Sequence, residues 1–468
     1  MGLFDKLKKK TASEPMCGQG AEPVTEVPKT DAGENTFVMG ALDVYSLKDS
    51  EDCVVMGRVK GTIRKEDAVY VSEVGRDDGG ILLTTVEGLE DGPGKAVEEA
   101  TDCAVSVRLK LGMKQGVKPA MVLHSRSAKV AEVHNEYINA LGDIYVGRKQ
   151  LVMTKQEAEA LTVTDCAEIY RLFAWFHSSV MKDESEEQKK ANKEKANNLG
   201  ALLCKKLLDS DSVYCVFNKR TGEPHLFSKT IAREDGEYLC TPPEITLLTK
   251  AYKQYLAVHY PKDQFEIKEI TKGEDGKGIY NFLGSAFYLN GACGVRVLSE
   301  HTSIAAPMLV LPPDYSNLKP QEVPVTNPDL VRWMLLIGQM GEPDTADKEL
   351  IYKLYYKFFS MQLVKAKLLI PMKKEGEIGE PDQDGNITLK ADAKIMFPTM
   401  RGKQEKEAVY MYTDWKRLRM AHDEEWGGLV QTVEGMIKPF DCAINVTEYT
   451  AAGCYVNEAM FEDMKRFS

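Results

Sequence analysis

The chain has 468 residues, with 60 Lys and Arg against 71 Asp and Glu and a net charge of −11. At about 150 residues per domain, the length suggests roughly three domains, enough to bury several cores without disulfide or metal staples. Hydrophobic residues at 43% and charged residues at 28% exclude a mostly disordered chain, and the acidic balance argues against a non-specific nucleic-acid binder, whose affinity comes from neutralising phosphates.

Residues 1–35 read as a flexible segment. Its start places Leu3, Phe4 and Leu7 beside several lysines, either as a membrane-surface or partner contact or as a solvated terminus. No apolar run follows the basic residues, so no secretory signal is expected, and Lys6 stands where acylation of Gly2 wants Ser or Thr. No stretch approaches the length of a membrane-spanning helix. The ten cysteines are scattered and no two share CxxC spacing. Most sit in apolar runs, which points to a reducing compartment and a cytoplasmic protein.

Residues 36–126 read as all-β. Six runs rich in Val, Ile, Leu, Thr and Tyr (37–45, 53–59, 68–74, 81–86, 103–111 and 119–124) alternate with Gly and Asp punctuation. Six evenly spaced strands favour a closed barrel, which removes exposed edges. The stretch carries Phe37-Val38-Met39 with Val44-Tyr45, then Val54 to Gly61 (VVMGRVKG), Val97 to Ala100, and Ala120 to Leu123. On these residues it resembles the second domain of translational GTPases such as elongation factor Tu. Gly57 and Gly61 read as a bulge and a turn. Two glycines of that pattern are missing: Thr101-Asp102 follows Ala100, and Ala120 replaces the glycine of the closing strand. The GTPase signature is absent, since no Gly-x-x-x-x-Gly-Lys-Ser/Thr occurs. The barrel stretch holds twelve Lys and Arg against fifteen Asp and Glu, a poor footprint for RNA.

Residues 127–198 read as a helical connector. Thr154 with Glu157 forms a capping box, and Asp165 with Glu168 starts a helix whose apolar face is Ile169, Leu172, Phe173, Phe176 and Val180. The polar run 182–198 reads as a solvated spacer helix.

The rest of the chain repeats itself as two α+β units, 199–311 and 328–468, joined by a proline-rich connection. The first copy reads as helix 202–208, strand 213–217, strand 236–241, helix 243–256 and an apolar strand 287–291 that meets Asn290. The second reads as helix 350–364, strand 368–371, strand 407–413, helix 414–422 and a strand that meets Asn445. In each, a strand ends on Thr and a helix begins at once, the hydroxyl capping a free helix amide. Asn327-Pro328 starts a further helix, 329–340. The second copy carries Ile370-Pro371, Met396-Phe397-Pro398, Val409 to Asp414 and Ile444-Asn445, in that order. On these residues it resembles the SseB family (enhanced serine sensitivity), and the repeat implies a tandem SseB-like half. Val446 stands where that family has Pro.

The fold class expected is therefore multidomain: an all-β barrel, a helical connector and two α+β SseB-like domains. The seven histidines occur singly, no nucleophile elbow is present, and the sequence calls for no catalytic residue, cofactor or metal. Thr413, Asp414, Trp415 and Asn445 form a candidate interaction groove, set against plainer roles as helix cap, turn and core packing. The resemblances imply a non-enzymatic bacterial cytoplasmic binding or adaptor protein with a protein partner. The alternatives are a translation-associated factor touching ribosome, tRNA or a translation factor through the barrel, and an enzyme assembled from scattered residues.

Overall fold

The computed structural model describes residues 36–467 apart from 48–49, 51, 78, 111–115, 182–183, 234–237, 321, 376–393, 403–405 and 448–451. The segment expected to be flexible, 1–35, lies outside the described residues. The chain divides into two compact units, Met1–Leu202 and Leu203–Ser468.

In the first unit the strands are β1 (Phe37–Gly40), β2 (Asp43–Ser46), β3 (Cys53–Arg64), β4 (Ala68–Ser72), β5 (Ile81–Asp91), β6 (Ala96–Val97), β7 (Glu99–Thr101), β8 (Ala104–Leu109) and β9 (Val122–His124). The antiparallel order β1-β9-β4-β5-β8-β3 closes when β3 also pairs with β1, giving a six-stranded barrel. Each of the six runs read from the sequence contributes a strand to it. β3 shows why: Cys53, Val55, Gly57, Val59 and Ile63 are buried, while Met56, Arg58 and Lys60 between them are exposed. Those inward residues pack with Phe37, Met39, Val69, Val107, Leu109 and Leu123 in one core. The run 37–45 breaks at Ala41-Leu42 into β1, inside the barrel closure, and β2, which pairs with β3 alone.

The glycine pattern has a backbone explanation. Gly61 has φ +82, and a Cβ there would stand 2.1 Å from the Thr36 carbonyl oxygen. Gly57 marks no bulge; it lets β1 approach, since a Cβ would meet the Gly40 carbonyl oxygen at 2.4 Å. The two positions where glycine is missing still take the left-handed conformation, Asp102 at φ +49 and Ala120 at φ +69. Asp102 offsets this by accepting a hydrogen bond from Gly61 N at 2.9 Å, whereas Ala120 has no polar side chain to do so.

After the barrel come helices Val130–Leu141, Lys155–Ala160, Val163–Ser179 and Glu186–Asp209, with a π-helical stretch at Gly142–Arg148. The capping box of Thr154 and Glu157 is present in both directions. The next helix starts three residues before its expected start: Thr162 is the cap and Asp165 is its reciprocal partner, because the Thr162 hydroxyl accepts the Asp165 amide.

In the second unit the strands are β10 (Ser212–Asn218), β11 (Thr230–Ala232), β12 (Tyr238–Cys240), β13 (Glu244–Leu248), β14 (Phe265–Thr271), β15 (Gly294–Val297) and β16 (Ser303–Ala305), then β17 (Leu368–Glu375), β18 (Lys394–Met396), β19 (Thr399–Arg401), β20 (Glu407–Met411), β21 (Gly427–Gln431), β22 (Asp441–Ile444) and β23 (Cys454–Val456). One sheet runs β14-β10-β13-β15-β16, with β13 and β15 parallel. The other runs β21-β17, crosses to β20 through the Leu369–Tyr412 bridge, and continues to β22 and β23, with β20 and β22 parallel. Order and direction are the same in both.

That equivalence sits in a different register from the one read in the sequence. The expected helix 243–256 is β13 followed by helix Lys250–Leu256, and the expected strand 287–291 is the end of helix Gly278–Tyr288. The aromatic run there follows helical spacing, with Ile279, Leu283, Ala286 and Phe287 buried on one face. β12 belongs to a separate hairpin with β11, so Thr249 and not Thr241 ends the strand that matches β20. Asn445 finds its counterpart in Leu298: both have positive φ, and each amide bonds a strand-end carbonyl, Met411 and Leu247 respectively. Asn327 does not cap its helix either. Its side chain donates to the carbonyls of Lys367 and Thr413, at 2.8 Å each, tying helix Pro328–Met340 to two strand ends.

Candidate functional site

The four residues singled out in the sequence converge, but inside the second unit. β20 leads through Tyr412 to Thr413, and Asp414, in extended conformation, caps helix Trp415–Ala421 by accepting the Arg417 amide at 3.0 Å. Thr413 donates its hydroxyl to Asp414 Oδ2 at 2.8 Å and receives Asn445 Nδ2 at 2.9 Å, while its amide donates to Asn445 Oδ1 at 3.0 Å. Thr413, Asp414 and Asn445 are 0%, 1% and 3% exposed, so they line no open groove. Trp415 is half-buried against Leu369, Tyr412 and Leu418, with the Arg419 guanidinium 5.0 Å above its ring.

The partner that organises this cluster is Arg417. Its guanidinium donates to Asp414 Oδ2 at 2.6 Å, Asn290 Oδ1 at 2.9 Å and Glu223 Oε1 at 3.1 Å. Asn290 in turn donates to the other Glu223 oxygen at 2.9 Å. Glu223 and Asn290 come from the segment of the first sheet, Asp414 and Arg417 from the second. A buried arginine shared by two carboxylates and an amide oxygen fastens the two sheets together. Sequence reading missed Arg417 and Glu223 because nothing in their neighbourhoods marks them. The sequence places Asn290 at a strand end, a role that helix Gly278–Tyr288 rules out.

The first unit holds a cavity of about 500 Å³, within the size range of ligand sites. Its walls are β2, the loop 73–76, the closing segment 118–121, the stretch 137–149 and helices Lys155–Ala160 and Val163–Ser179. Apolar side chains such as Val44, Met121, Leu141, Ile144 and Leu161 line it. Its charged groups are paired around the rim. Arg148 donates to Asp43 Oδ2 at 2.6 Å and to the Leu42 carbonyl at 2.9 Å, Lys149 pairs with Glu157, and Arg76 and Lys118 both reach Glu73. Lys149 and the Thr154 amide hold the Glu157 carboxyl below its ordinary range.

Tyr137 and Tyr145 supply the polar interior. Tyr137 donates to Asp165 at 2.6 Å, under Gly75, where a Cβ would lie 2.4 Å from the hydroxyl. Tyr145 is 8% exposed, lines the cavity and has no hydrogen-bond partner for its hydroxyl among the described residues. Burial, with the charges of Asp165, Glu157 and Cys166 adding to it, pushes this phenol up to about 12, so it stays protonated and able to donate. The backbone holding it is strained. The π-helical stretch that carries Tyr145 and Arg148 ends in two consecutive left-handed residues, Gln150 at φ +48 and Leu151 at φ +61. Ala120, at φ +69, lines the opposite wall. No group of His, Cys, Asp and Glu among the described residues is arranged to hold a metal ion, and no described helix is long and apolar enough to cross a membrane.

The sequence matches no family model and no curated protein. Among solved structures, the elongation factor SelB from Methanococcus maripaludis is similar over 20% of this chain and 20% of its own in the apo form, at 21% identity and a TM-score of 0.17. The form bound to the GTP analogue GPPNHP is similar over 27% and 25%, at 18% identity and a TM-score of 0.17. Sup35 complexed with GMPPNP is similar over 20% and 21%, at 18% identity and a TM-score of 0.17. The chain thus spans about a fifth to a quarter of the length of these structures.

Proposed function

We propose that this chain is a non-enzymatic binding or adaptor protein whose ligand site is the cavity of the first unit. In this reading residues 36–126 are a translation-factor-like barrel, 127–198 a helical connector, and 199–311 and 328–468 two SseB-like copies, in a bacterial cytoplasmic protein. The shared strand order of the two sheets supports reading them as copies of one unit. The observation that carries the binding site is Tyr145: a largely buried side chain whose hydroxyl has no partner among the described residues, on a strained π-helical wall, facing a cavity whose charges are already paired. Backbone strain of this kind persists where the surroundings over-determine it, and such places cluster at functional sites. Rim acids and bases tied up as ion pairs suit recognition better than proton transfer.

The test is affinity capture under crosslinking from lysate, with bound proteins and RNA identified, using the full chain and an Ala160→Trp variant that fills the cavity. A specific protein captured by the wild-type chain and lost with Ala160→Trp is the expected result. Capture that ignores the filled cavity would remove the site. Ribosomal proteins or tRNA enriched in its place would favour the translation-linked reading, for which the barrel residues 54–61 are the argument.

A further inference from the structure

The cavity has one wall of a particular kind. β2 pairs with β3 along one edge, and no other strand among the described residues pairs with its second edge. An antiparallel ladder alternates, so every second residue turns its N–H and C=O away from the partner. The Leu47 amide bonds the Asp52 carbonyl, which sets the phase: Asp43 and Tyr45 face β3, and the backbone groups of Val44 and Ser46 face outward. The Leu42 amide, just before β2, also donates to β3, at the Met56 carbonyl, and only the carbonyl of Leu42 bonds elsewhere. That carbonyl accepts Arg148, a residue of the cavity rim. The unpaired edge therefore borders the cavity that holds the Tyr145 hydroxyl.

We infer that the ligand is an extended polypeptide segment of a partner protein, which adds to the outer edge of β2 and inserts one large side chain into the cavity. This rests on the cavity being the binding site. Outward N–H and C=O groups at Val44 and Ser46, two residues apart, are complementary to another extended chain. The net negative charge of the barrel stretch disfavours a phosphate backbone on the same surface. The inserted side chain is apolar along its body, against Val44, Ile144 and Leu161, with a polar tip that accepts from Tyr145. Arg148, fixed on Asp43 and the Leu42 carbonyl, marks where the added strand stops.

The probe is a random twelve-residue peptide library selected on the full chain, the best peptide then being resynthesised and its affinity measured by fluorescence anisotropy. Backbone N-methylation at every second residue in one register is expected to weaken binding about tenfold or more, while the alternate register changes it by less than about twofold. Val44→Pro, which removes one outward N–H on an edge strand, is expected to weaken it similarly, and the N-methyl result stands even if that variant folds poorly. Equal tolerance of both registers, or no peptide enriched above an unrelated protein, overturns strand addition. A peptide that is lost with Ala160→Trp yet indifferent to N-methylation overturns strand addition and leaves the cavity as the site. Indifference to both overturns the two together.

Discussion

Arg417 shows how a single side chain sets the geometry of the second unit. It is 4% exposed and serves Asp414, Asn290 and Glu223 at once. Arg417→Ala leaves the buried Asp414 without its counter-charge and Glu223 with Lys416 alone at 3.8 Å, and a loss of about 3–5 kcal/mol is expected in urea unfolding of that unit. A loss under 1 kcal/mol would show that the triad is dispensable. His225 gives the unit a pH dependence. Its ring lies edge-on between Phe227 and Phe265, with centroids at 4.4 and 4.9 Å, and burial, helped by Arg296, pushes it down to about 4. The unfolded chain binds a proton there from about pH 6.5 downward and the folded chain does not. Stability is therefore complete above about 6.5 and falls as pH drops through about 4, by on the order of 2–3 kcal/mol. His225→Phe should flatten that slope in denaturation midpoints measured from pH 4 to 7; an unchanged slope would assign it to other groups. Neither residue advertises itself in the sequence. A lone arginine and a lone histidine look alike on the surface and in the core, and only long-range folding brings their partners in.

At the scale of elements, legibility followed the kind of signal. The barrel strands could be read because one face of each is core and the other solvent, as in β3, so the period of two survives in the residues. The sheets of the second unit gave less. Glu244–Leu248 is nearly all buried, a run that periodicity cannot tell from a helix, and the aromatic helix Gly278–Tyr288 imitates a strand. The cavity left no local signature at all, because its walls come from β2, 118–121 and 137–165 and meet only in the fold. Two substitutions probe those walls. Ala120→Gly relieves a left-handed alanine and should stabilise the first unit by about 1 kcal/mol in thermal unfolding, where no gain or a loss would mean that the methyl group packs usefully. Gly75→Ala puts a Cβ 2.4 Å from the Tyr137 hydroxyl and 2.5 Å from Asp165 Oδ1, and a loss of about 1–3 kcal/mol is expected. Gly80→Ala, with nothing within 4 Å of its Cβ, should be near neutral and serves as the control.

For the molecule as a whole, the two units divide the work in different ways. The second bonds a set of its buried polar groups to one another, Thr413, Asp414, Arg417, Asn445, Asn290 and Glu223, and Thr413, Asp414 and Asn445 line no open groove. The first has a tyrosine hydroxyl open to a cavity and, among the described residues, an unpaired strand edge beside it. On the proposal above, recognition belongs to residues 42–165, while the buried polar network of 203–468 is architectural. The most direct test is site-specific photo-crosslinking in cells, with a benzophenone side chain at Gln156 on the cavity wall or, in parallel, at the exposed Met420 of the second unit. If the cavity is the binding site, one discrete protein adduct forms from position 156, is absent from position 420 and is lost when Ala160→Trp fills the cavity. Adducts from position 420 alone, or an adduct at 156 that persists with the cavity filled, would contradict it.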